Sequence, residues 1–286
     1  MAPSAIVLAS LLALVQAGPF VGLSIPTLGP RITGGRNAIK GEFPHQVSLQ
    51  WSATPTGAPK HFCAGTILQP TWILTAGHCV HAVPPFGNFV VKAGKHNISA
   101  HESTEQTAQV QRSIVHEDYP GNVAPNDIAL LRLRTPLREN QYVRRISLPR
   151  PDVLPTGRLE LSGWGSVSLT SGPVYPDILQ KVNLTVVDLA TCRRMIERLT
   201  GSAPLANSNL CTGPLTGGIS ACSGDSGGPL IKNNGTRKEI VGVVSWGIVP
   251  CGTRNAPSVF TRVSAYVGWI NNKINGNYEA YLDTLV

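Results

Sequence analysis

One serine in the sequence has the surroundings expected of a nucleophile. Ser226 lies in the segment Gly224-Asp225-Ser226-Gly227-Gly228-Pro229, shortly after Cys222. Glycines on both sides allow a tight turn and a close approach of a substrate carbonyl, and backbone N–H groups can converge on its developing oxyanion. A plain glycine-rich turn has the same local pattern. The motif therefore indicates acyl-transfer chemistry only if a base and an acid accompany it.

The order of the possible partners along the chain selects one arrangement. All seven histidines precede Ser226: His45, His61, His78, His81, His96, His101 and His116. The α/β-hydrolase order needs an acid and then a histidine after the serine, so a lipase-class enzyme is excluded within this chain. The order Asp, His, Ser fails as well, because the first aspartate, Asp118, follows the last histidine. The remaining order is His, Asp, Ser.

His78 and Asp127 are the candidates for the base and the acid. His78 ends a strand-like run and precedes Cys79, where a disulfide would hold the backbone beside the ring. The other histidines lie in polar stretches and are predicted to face solvent. Asp127 opens the apolar segment 128–131, where a buried carboxylate is costly unless a partner satisfies it. An imidazole N–H would do so, and the carboxylate would in turn stabilise the imidazolium.

The composition predicts a scaffold of many short strands for these residues. The chain has 286 residues, 29 Gly, 23 Pro and only 14% charged residues, which favours strands and turns over long helices. Runs of β-branched and aromatic residues predict strands at 45–50, 65–68, 72–76, 89–93, 128–133, 159–164, 181–187 and 240–246. The irregular stretch 138–155 predicts a crossing between two β units. Only the C-terminal region predicts a helix, with Ser264 as its N-cap.

Several features indicate a secreted chain. Residues 6–15 are apolar but shorter than the roughly 20 residues of a membrane span, and small residues follow up to Ala17, which predicts a signal peptide at 1–17. No later segment is apolar for long enough to anchor the chain. Asn-x-Ser/Thr triplets at Asn97, Asn183 and Asn234 predict glycosylation.

The cysteines predict disulfides rather than a metal site. There are six, with no Cys-x-x-Cys pair and no histidine at zinc-ligand spacing. In an oxidising compartment disulfides are the default, and the spacing alone leaves their pairing open.

These motifs together resemble the chymotrypsin family of serine proteases. The resemblance rests on His78 in TAGHC, Asp127 in NDIALL, Ser226 in CSGDSGGP, the Gly-Trp-Gly at 163–165, the Ser-Trp-Gly at 245–247 and the ending VFTRVSAYVGWI. It extends from about residue 32 to residue 275. It implies an all-β fold, with two antiparallel six-stranded β-barrels packed together and a C-terminal α-helix. The expected divisions are an activation propeptide at 18–31, barrels at 32–145 and 146–263, a helix at 264–276 and a tail at 277–286.

The resemblance also assigns roles to residues. It implies an oxyanion hole formed by the N–H groups of Gly224 and Ser226, and a hydrogen bond from Ser245 to Asp127. The implied disulfides are Cys63–Cys79, Cys192–Cys211 and Cys222–Cys251. Gly77 and Thr33 replace the alanine and valine usual at these positions, but neither change removes a chemical group.

Activation and specificity follow from the same resemblance. Cleavage after Arg31 would free an Ile32 ammonium that pairs with Asp225 and orders the site. The implied substrate-binding residues are Ser220, Ser245, Trp246, Gly247 and Ser258. Because no aspartate stands at the Ser220 position, a cationic substrate side chain would lie buried and unpaired. We therefore expect cleavage after large-to-medium apolar residues, with small, elastase-type residues as the alternative.

The expected partners are protein and peptide substrates, an activating trypsin-like protease and protein inhibitors of proteases. Some relatives bind calcium in the loop after the base-bearing strand, but here Lys95 stands in place of an acidic ligand, beside Glu102 and Glu105. We expect no metal, no cofactor, no nucleic-acid or membrane partner, and a secreted, extracellular monomer.

Two other functions remain open. A non-catalytic homologue acting as a binding or regulatory module would have lost one of the three catalytic side chains, and none is lost. A protein that acts through a basic face would bind heparin without peptidase activity. The net charge is +8, and the arginines that could form such a face are Arg132, Arg134, Arg138, Arg144 and Arg145.

Overall fold

The first half of the chain folds into a closed antiparallel barrel. The computed structural model describes residues 34–235 and 237–282, with the backbone alone from 277 onward. Six strands hydrogen-bond in the closed order β2-β3-β4-β7-β6-β5. They are β2 (Gln46–Ser52), β3 (Lys60–Gln69), β4 (Trp72–Thr75), β5 (Asn88–Ala93), β6 (Gln106–Val115) and β7 (Ala129–Leu133). A short helix, α1 (Gly77–His81), follows β4 directly.

The second half forms a second barrel. Its six strands pair in the order β9-β10-β13-β12-β11-β8, and a pairing between β8 and β9 closes the ring. They are β8 (Arg158–Gly163), β9 (Gln180–Val187), β10 (Asn209–Gly213), β11 (Pro229–Asn233), β12 (Lys238–Trp246) and β13 (Ser258–Arg262). A two-residue strand, β1 (Arg36–Asn37), pairs in antiparallel orientation with the first two residues of β9. The prediction of two six-stranded barrels is confirmed.

One hydrophobic core runs between the barrels and fixes their packing. It contains Leu49 and Leu131 of the first barrel, Val243 of the second, and Ile270 of the C-terminal helix, all fully buried. Closing each sheet on itself leaves no strand edge and directs alternate side chains inward. The residues 138–155 that join the barrels contain neither helix nor strand, as the irregular sequence predicted.

The helices differ from the prediction in three places, the first being α1, which was not predicted. At the C-terminus a 3₁₀ turn (Val263–Tyr266) leads into α3 (Val267–Leu282), so the helix ends later than 276. Ser264 does not cap it, since the Ser264 hydroxyl instead accepts a hydrogen bond from Arg262 at 2.6 Å. A second helix, α2 (Leu189–Thr200), was not predicted.

The signals for α2 were present in the sequence. Asp188 precedes it as an N-cap and accepts from the backbone N–H of Thr191, and Gly201 follows it with a left-handed φ of 81°. The helix is mostly polar, so the short apolar face with Cys192 and Ile196 was not recognised in the sequence. Among the described residues, no helix is long and apolar enough to cross a membrane.

Candidate active site

Strand pairing brings His78 and Asp127 together. β4 and β7 are antiparallel neighbours, with Thr75 opposite Ala129. His78 lies just beyond the end of β4, and Asp127 lies just before the start of β7, so both occupy the same rim of the barrel. His78 Nδ1 is 2.7 Å from Asp127 Oδ2, and the backbone N–H of His78 donates to Asp127 Oδ1 at 2.9 Å.

The second barrel holds the same carboxylate from the other side. Asp127 is only 2% exposed, and the Ser245 hydroxyl donates to its Oδ2 at 2.6 Å. The Thr261 hydroxyl donates to the backbone carbonyl of Asp127 at 2.7 Å. Because an ionised carboxylate can only accept, the proton of the neutral His78 ring lies on Nδ1 and leaves Nε2 with a free lone pair. That nitrogen can act as a base.

Ser226 is held against the first barrel by its backbone. Its carbonyl accepts from the N–H of Ala64 at 2.8 Å, and the N–H of Gly227 donates to Val244 at 2.9 Å. A Cβ at position 227 would lie 2.2 Å from Thr75 Oγ1 and 2.5 Å from the Ala64 carbonyl. Only glycine allows this approach, which places Ser226 beside the strand that leads to His78.

The hydroxyl of Ser226 and the ring of His78 are not hydrogen-bonded in this structure. Within the described chain the Ser226 hydroxyl has no hydrogen-bond partner, and His78 Nε2 makes only a weak contact, 3.6 Å, with the sulfur of Cys79. Catalytic hydrogen bonds are often long without substrate and tighten when it binds. The arrangement thus provides an oriented base and a free hydroxyl at the same rim.

The turn before Ser226 offers backbone donors. Gly224 has a φ of 98°, a conformation that favours glycine. In the described chain neither its N–H nor that of Ser226 donates to a protein acceptor, whereas the N–H of Asp225 bonds to Cys222 and that of Gly228 bonds to Asp225. Two unused donors beside a serine hydroxyl can bind an oxyanion.

Asp225 is buried without a cation among the described residues. Its carboxylate is fully enclosed and accepts from the N–H groups of Gly165 at 2.8 Å and Cys222 at 3.0 Å. Burial raises the pKa of Asp225 to about 6, although these two hydrogen bonds lower it. A Cβ on Gly163 or Gly165 would lie 2.1 Å or 2.3 Å from this carboxyl. The Gly-Trp-Gly motif therefore makes room for Asp225. Arg31 and Ile32 lie outside the described residues.

A buried histidine network supports the same turn. His61 Nε2 is 3.1 Å from the Gly224 carbonyl, and its Nδ1 is 2.8 Å from the Ser48 hydroxyl, which accepts from Gln50 at 3.0 Å. Because a carbonyl only accepts, His61 carries its proton on Nε2. Burial lowers the pKa of His61 to about 4, against the effect of the Gly224 bond.

The prediction that the other histidines face solvent is wrong for His45, and His61 is half-buried. His45 is only 2% exposed, and burial lowers its pKa to about 3. His45 lies in the turn directly before β2, whereas His61 lies in β3. The apolar residues that alternate around His45 could have indicated that its side chain is buried.

A cavity of about 180 Å³ opens beside Ser226. It is lined by uncharged residues, among them Ser245, Trp246 and Gly247 as expected. Ser220 and Ser258, expected at the floor and wall, do not line it. Both are buried, and their hydroxyls accept from the backbone N–H groups of Gly252 at 2.8 Å and Ala221 at 3.1 Å.

A larger apolar recess, about 510 Å³, lies beside His61. Its lining includes Trp51, Phe62, Val83 and His61, with Lys60 as the one charged residue. His61 both lines this recess and contacts Gly224. His61 therefore connects the lining of the recess to the Gly224–Ser226 turn.

Lys95 lies in the loop where some relatives bind calcium. The Lys95 side chain is only 2% exposed and its amine lies 2.8 Å from Glu105 Oε2, while it also donates to the Ala100 carbonyl. Glu102 accepts from Lys40 at 2.9 Å. Burial raises the pKa of Glu105, but the Lys95 hydrogen bond and further contacts outweigh it and bring the value to about 2. A fixed ammonium among these oxygens does not fit a divalent cation.

The cysteines form the three disulfides implied by the resemblance: Cys63–Cys79, Cys192–Cys211 and Cys222–Cys251. The sulfurs of the first lie with a His78 nitrogen within 4.8 Å of one another, but disulfide sulfurs are not thiolate ligands. The first disulfide ties β3 to the helix of His78, and the third closes the loop beside Ser226.

The three sequons differ in accessibility. Asn183 and Asn234 are exposed. Asn97 is half-buried, and its side-chain oxygen accepts from the N–H groups of Ser99 and Ala100. Glycosylation is thus sterically easier at the first two positions.

The sequence is similar to trypsins along most of its length. A model of the family described as Trypsin matches residues 32–270. The chain is 39% identical over 242 residues to Trypsin-1 of Astacus astacus, covering 84% of this chain and 98% of that protein. It is 34% identical over 248 residues to Trypsin of Sus scrofa, and the match covers 86% of this chain and 97% of that protein. Lectizyme of Glossina austeni is 36% identical over 262 residues, and the match covers 88% of this chain and 89% of that protein.

Proposed function

The chain belongs to the trypsin family of serine proteases, and from this premise we propose that it is a secreted endopeptidase that cleaves after apolar residues. It is made as an inactive precursor and becomes active when the bond after Arg31 is cut. The observation that carries the catalytic part is the oriented pair of His78 and Asp127, 2.7 Å apart, at the rim where Ser226 is held.

Catalysis proceeds through an acyl-enzyme. Ser226 Oγ attacks the scissile carbonyl carbon while His78 Nε2 takes its proton, and the N–H groups of Gly224 and Ser226 stabilise the oxyanion. The imidazolium, paired with Asp127, then gives its proton to the leaving amine as the C–N bond breaks. A water molecule then attacks the acyl carbon while His78 Nε2 takes one of its protons, and the ester C–O bond breaks as the imidazolium returns that proton to Ser226 Oγ, releasing the acid.

Substrate preference follows from the cavity beside Ser226. Its lining contains no charged side chain, so a lysine or arginine side chain would lose its hydration without gaining a partner. This argues against extending the trypsin specificity named for the relatives to this chain. Gly247 leaves the entrance open, which favours large-to-medium apolar side chains such as Phe, Tyr, Leu and Met over small ones. The leaving side of the peptide would lie over the apolar recess beside His61.

Activation supplies the charge that Asp225 lacks. A new Ile32 ammonium beside this carboxylate would stabilise its ionised form and hold the Gly224–Ser226 turn. The apolar N-terminal run, the disulfides and the family relationship support export with residues 1–17 as signal peptide and 18–31 as propeptide. We expect a monomer whose partners are protein substrates, an arginine-cutting activator and protein inhibitors.

The test is a substrate panel after controlled activation. The precursor is cut with immobilised trypsin, which is then removed, and Suc-Ala-Ala-Pro-Phe, Leu, Ala and Arg anilides are compared. Ser226→Ala, treated identically, measures trypsin carry-over. We expect the highest kcat/KM with Phe or Leu. The highest value with Arg would refute the proposed specificity, the highest with Ala would favour the elastase-type alternative, and no turnover at all would favour a non-catalytic homologue.

A further inference from the structure

The charged side chains of strands β6 and β7 are arginines. β6 and β7 are antiparallel, and Arg112 lies directly opposite Arg132. Two more arginines continue along the pair: the N–H of Arg134 bonds to the Gln109 carbonyl at 2.9 Å, and the N–H of Arg138 bonds to the Gln106 side chain at 2.8 Å. We call the surface formed by Arg112, Arg132, Arg134 and Arg138 the arginine face.

The register sets the length and shape of this face. From Arg112 to Gln106 the strand advances about 20 Å at about 3.3 Å per residue, so the arginines follow one line rather than a compact cluster. Arg134 and Arg138 are exposed, and Arg132 is half-buried with its guanidinium 5.1 Å from the Trp72 ring. Exposed Thr107, Gln109 and Gln111 lie between them.

The glutamates nearest in sequence to the arginine face are paired with other cations. Residues 106–116 and 128–138 contain no Asp or Glu. Of the flanking glutamates, Glu105 pairs with Lys95 at 2.8 Å, Glu117 with Lys273, and Glu139 with Arg145 at 3.7 Å. Arg145, also proposed from sequence, is thus partly neutralised by Glu139, and neither it nor Arg144 is counted in the arginine face.

We propose that the arginine face binds a linear sulfated polysaccharide. A row of guanidinium groups with neutral hydrogen-bond donors between them suits regularly spaced sulfates, which accept charge-assisted hydrogen bonds. The large exposed apolar residues of the described chain all lie outside β6 and β7. The face thus offers neither aromatic rings for stacking on nucleic-acid bases nor apolar side chains for insertion into a membrane. The site is independent of the catalytic centre and of the proposed specificity.

The test compares two variants of equal net charge. Arg134→Ser/Arg138→Ser removes two charges from the arginine face, and Arg158→Ser/Arg198→Ser removes two exposed charges elsewhere. Both are made in the full chain with Ser226→Ala, so that self-cleavage cannot interfere. The NaCl concentration at elution from immobilised heparin and the salt dependence of Kd for soluble heparin are measured.

We expect the unsubstituted chain to be retained at physiological salt. The variant of the arginine face should elute at clearly lower NaCl with a shallower salt dependence, and the control variant close to the unsubstituted chain. Equal shifts of the elution salt in both variants would show that only net charge matters and would overturn the proposal. No retention of the unsubstituted chain would overturn it as well. Tighter binding to duplex DNA or to anionic lipid vesicles than to heparin would also overturn it.

Discussion

The buried carboxyl of Asp225 predicts an unusual pH dependence for the uncut precursor. Folding raises its pKa from 3.8 to about 6 because burial disfavours the charged form. Between these values the folded state binds more protons than the unfolded state, so stability falls as pH rises. At about 1.4 kcal/mol per pKa unit, the loss above pH 6 is about 3 kcal/mol.

The assay isolates this contribution by comparison. Arg31→Gln keeps the chain uncut, and Asp225→Asn in that background removes the titrating group while keeping the shape of the side chain. Urea unfolding at pH 4 and pH 8 gives the free energy of unfolding of each protein. The aspartate form should lose about 2 to 3 kcal/mol more than the asparagine form over this interval. Asp152→Asn, at an exposed position, controls for removing one carboxylate.

Two results would refute this reasoning. An equal pH dependence with and without the Asp225→Asn substitution would mean that the carboxyl already has a cation in the uncut chain. Persistence of the loss above pH 6 after cleavage at Arg31 would mean that the Ile32 ammonium does not reach it, since a paired carboxylate should have a lowered pKa.

Three further predictions follow from the contacts of the site. Gly165→Ala would place a Cβ 2.3 Å from the Asp225 carboxyl and should abolish most activity after activation. Gly172→Ala, whose Cβ meets nothing within 4 Å, should leave anilide turnover unchanged. Equal activities of the two variants would contradict the role of the Gly-Trp-Gly motif. Ser245→Ala removes a hydrogen bond to a buried carboxylate and should lower kcat about tenfold or more with little change in KM, a pattern that a purely substrate-binding role would not give. Lys95→Met removes one partner of Glu105, which keeps Lys92 at 3.3 Å, and should cost about 1 to 3 kcal/mol in urea unfolding, with partial recovery when Glu105→Gln is added; no recovery would argue against the ion pair.

The sequence predicted the parts of the site that depend on residue order and local motif. The order of His78, Asp127 and Ser226 excluded two other hydrolase arrangements, and the strand patterns agreed with two β units. The pairing of β4 with β7, which places His78 beside Asp127, could not be derived from either strand alone, because register depends on contacts distant in sequence.

Other features required the packed structure. His61 was predicted to be solvent-facing, but its partners Ser48 and Gly224 come from a neighbouring strand and from the other barrel. Ser220 and Ser258 stay predictions as substrate-binding residues, and the sequence did not show that their hydroxyls accept from backbone N–H groups. For all three residues a backbone group is among the partners, and the sequence does not identify which one.

The most direct test of the account is labelling by a fluorophosphonate before and after cleavage at Arg31, with the modified residue located by peptide mass spectrometry. His78→Ala, cut in the same way, controls for a merely exposed serine. The account predicts labelling at Ser226 that appears only after cutting and is lost in the control. Equal labelling of the uncut chain, labelling at another serine, or none after verified cleavage would contradict it.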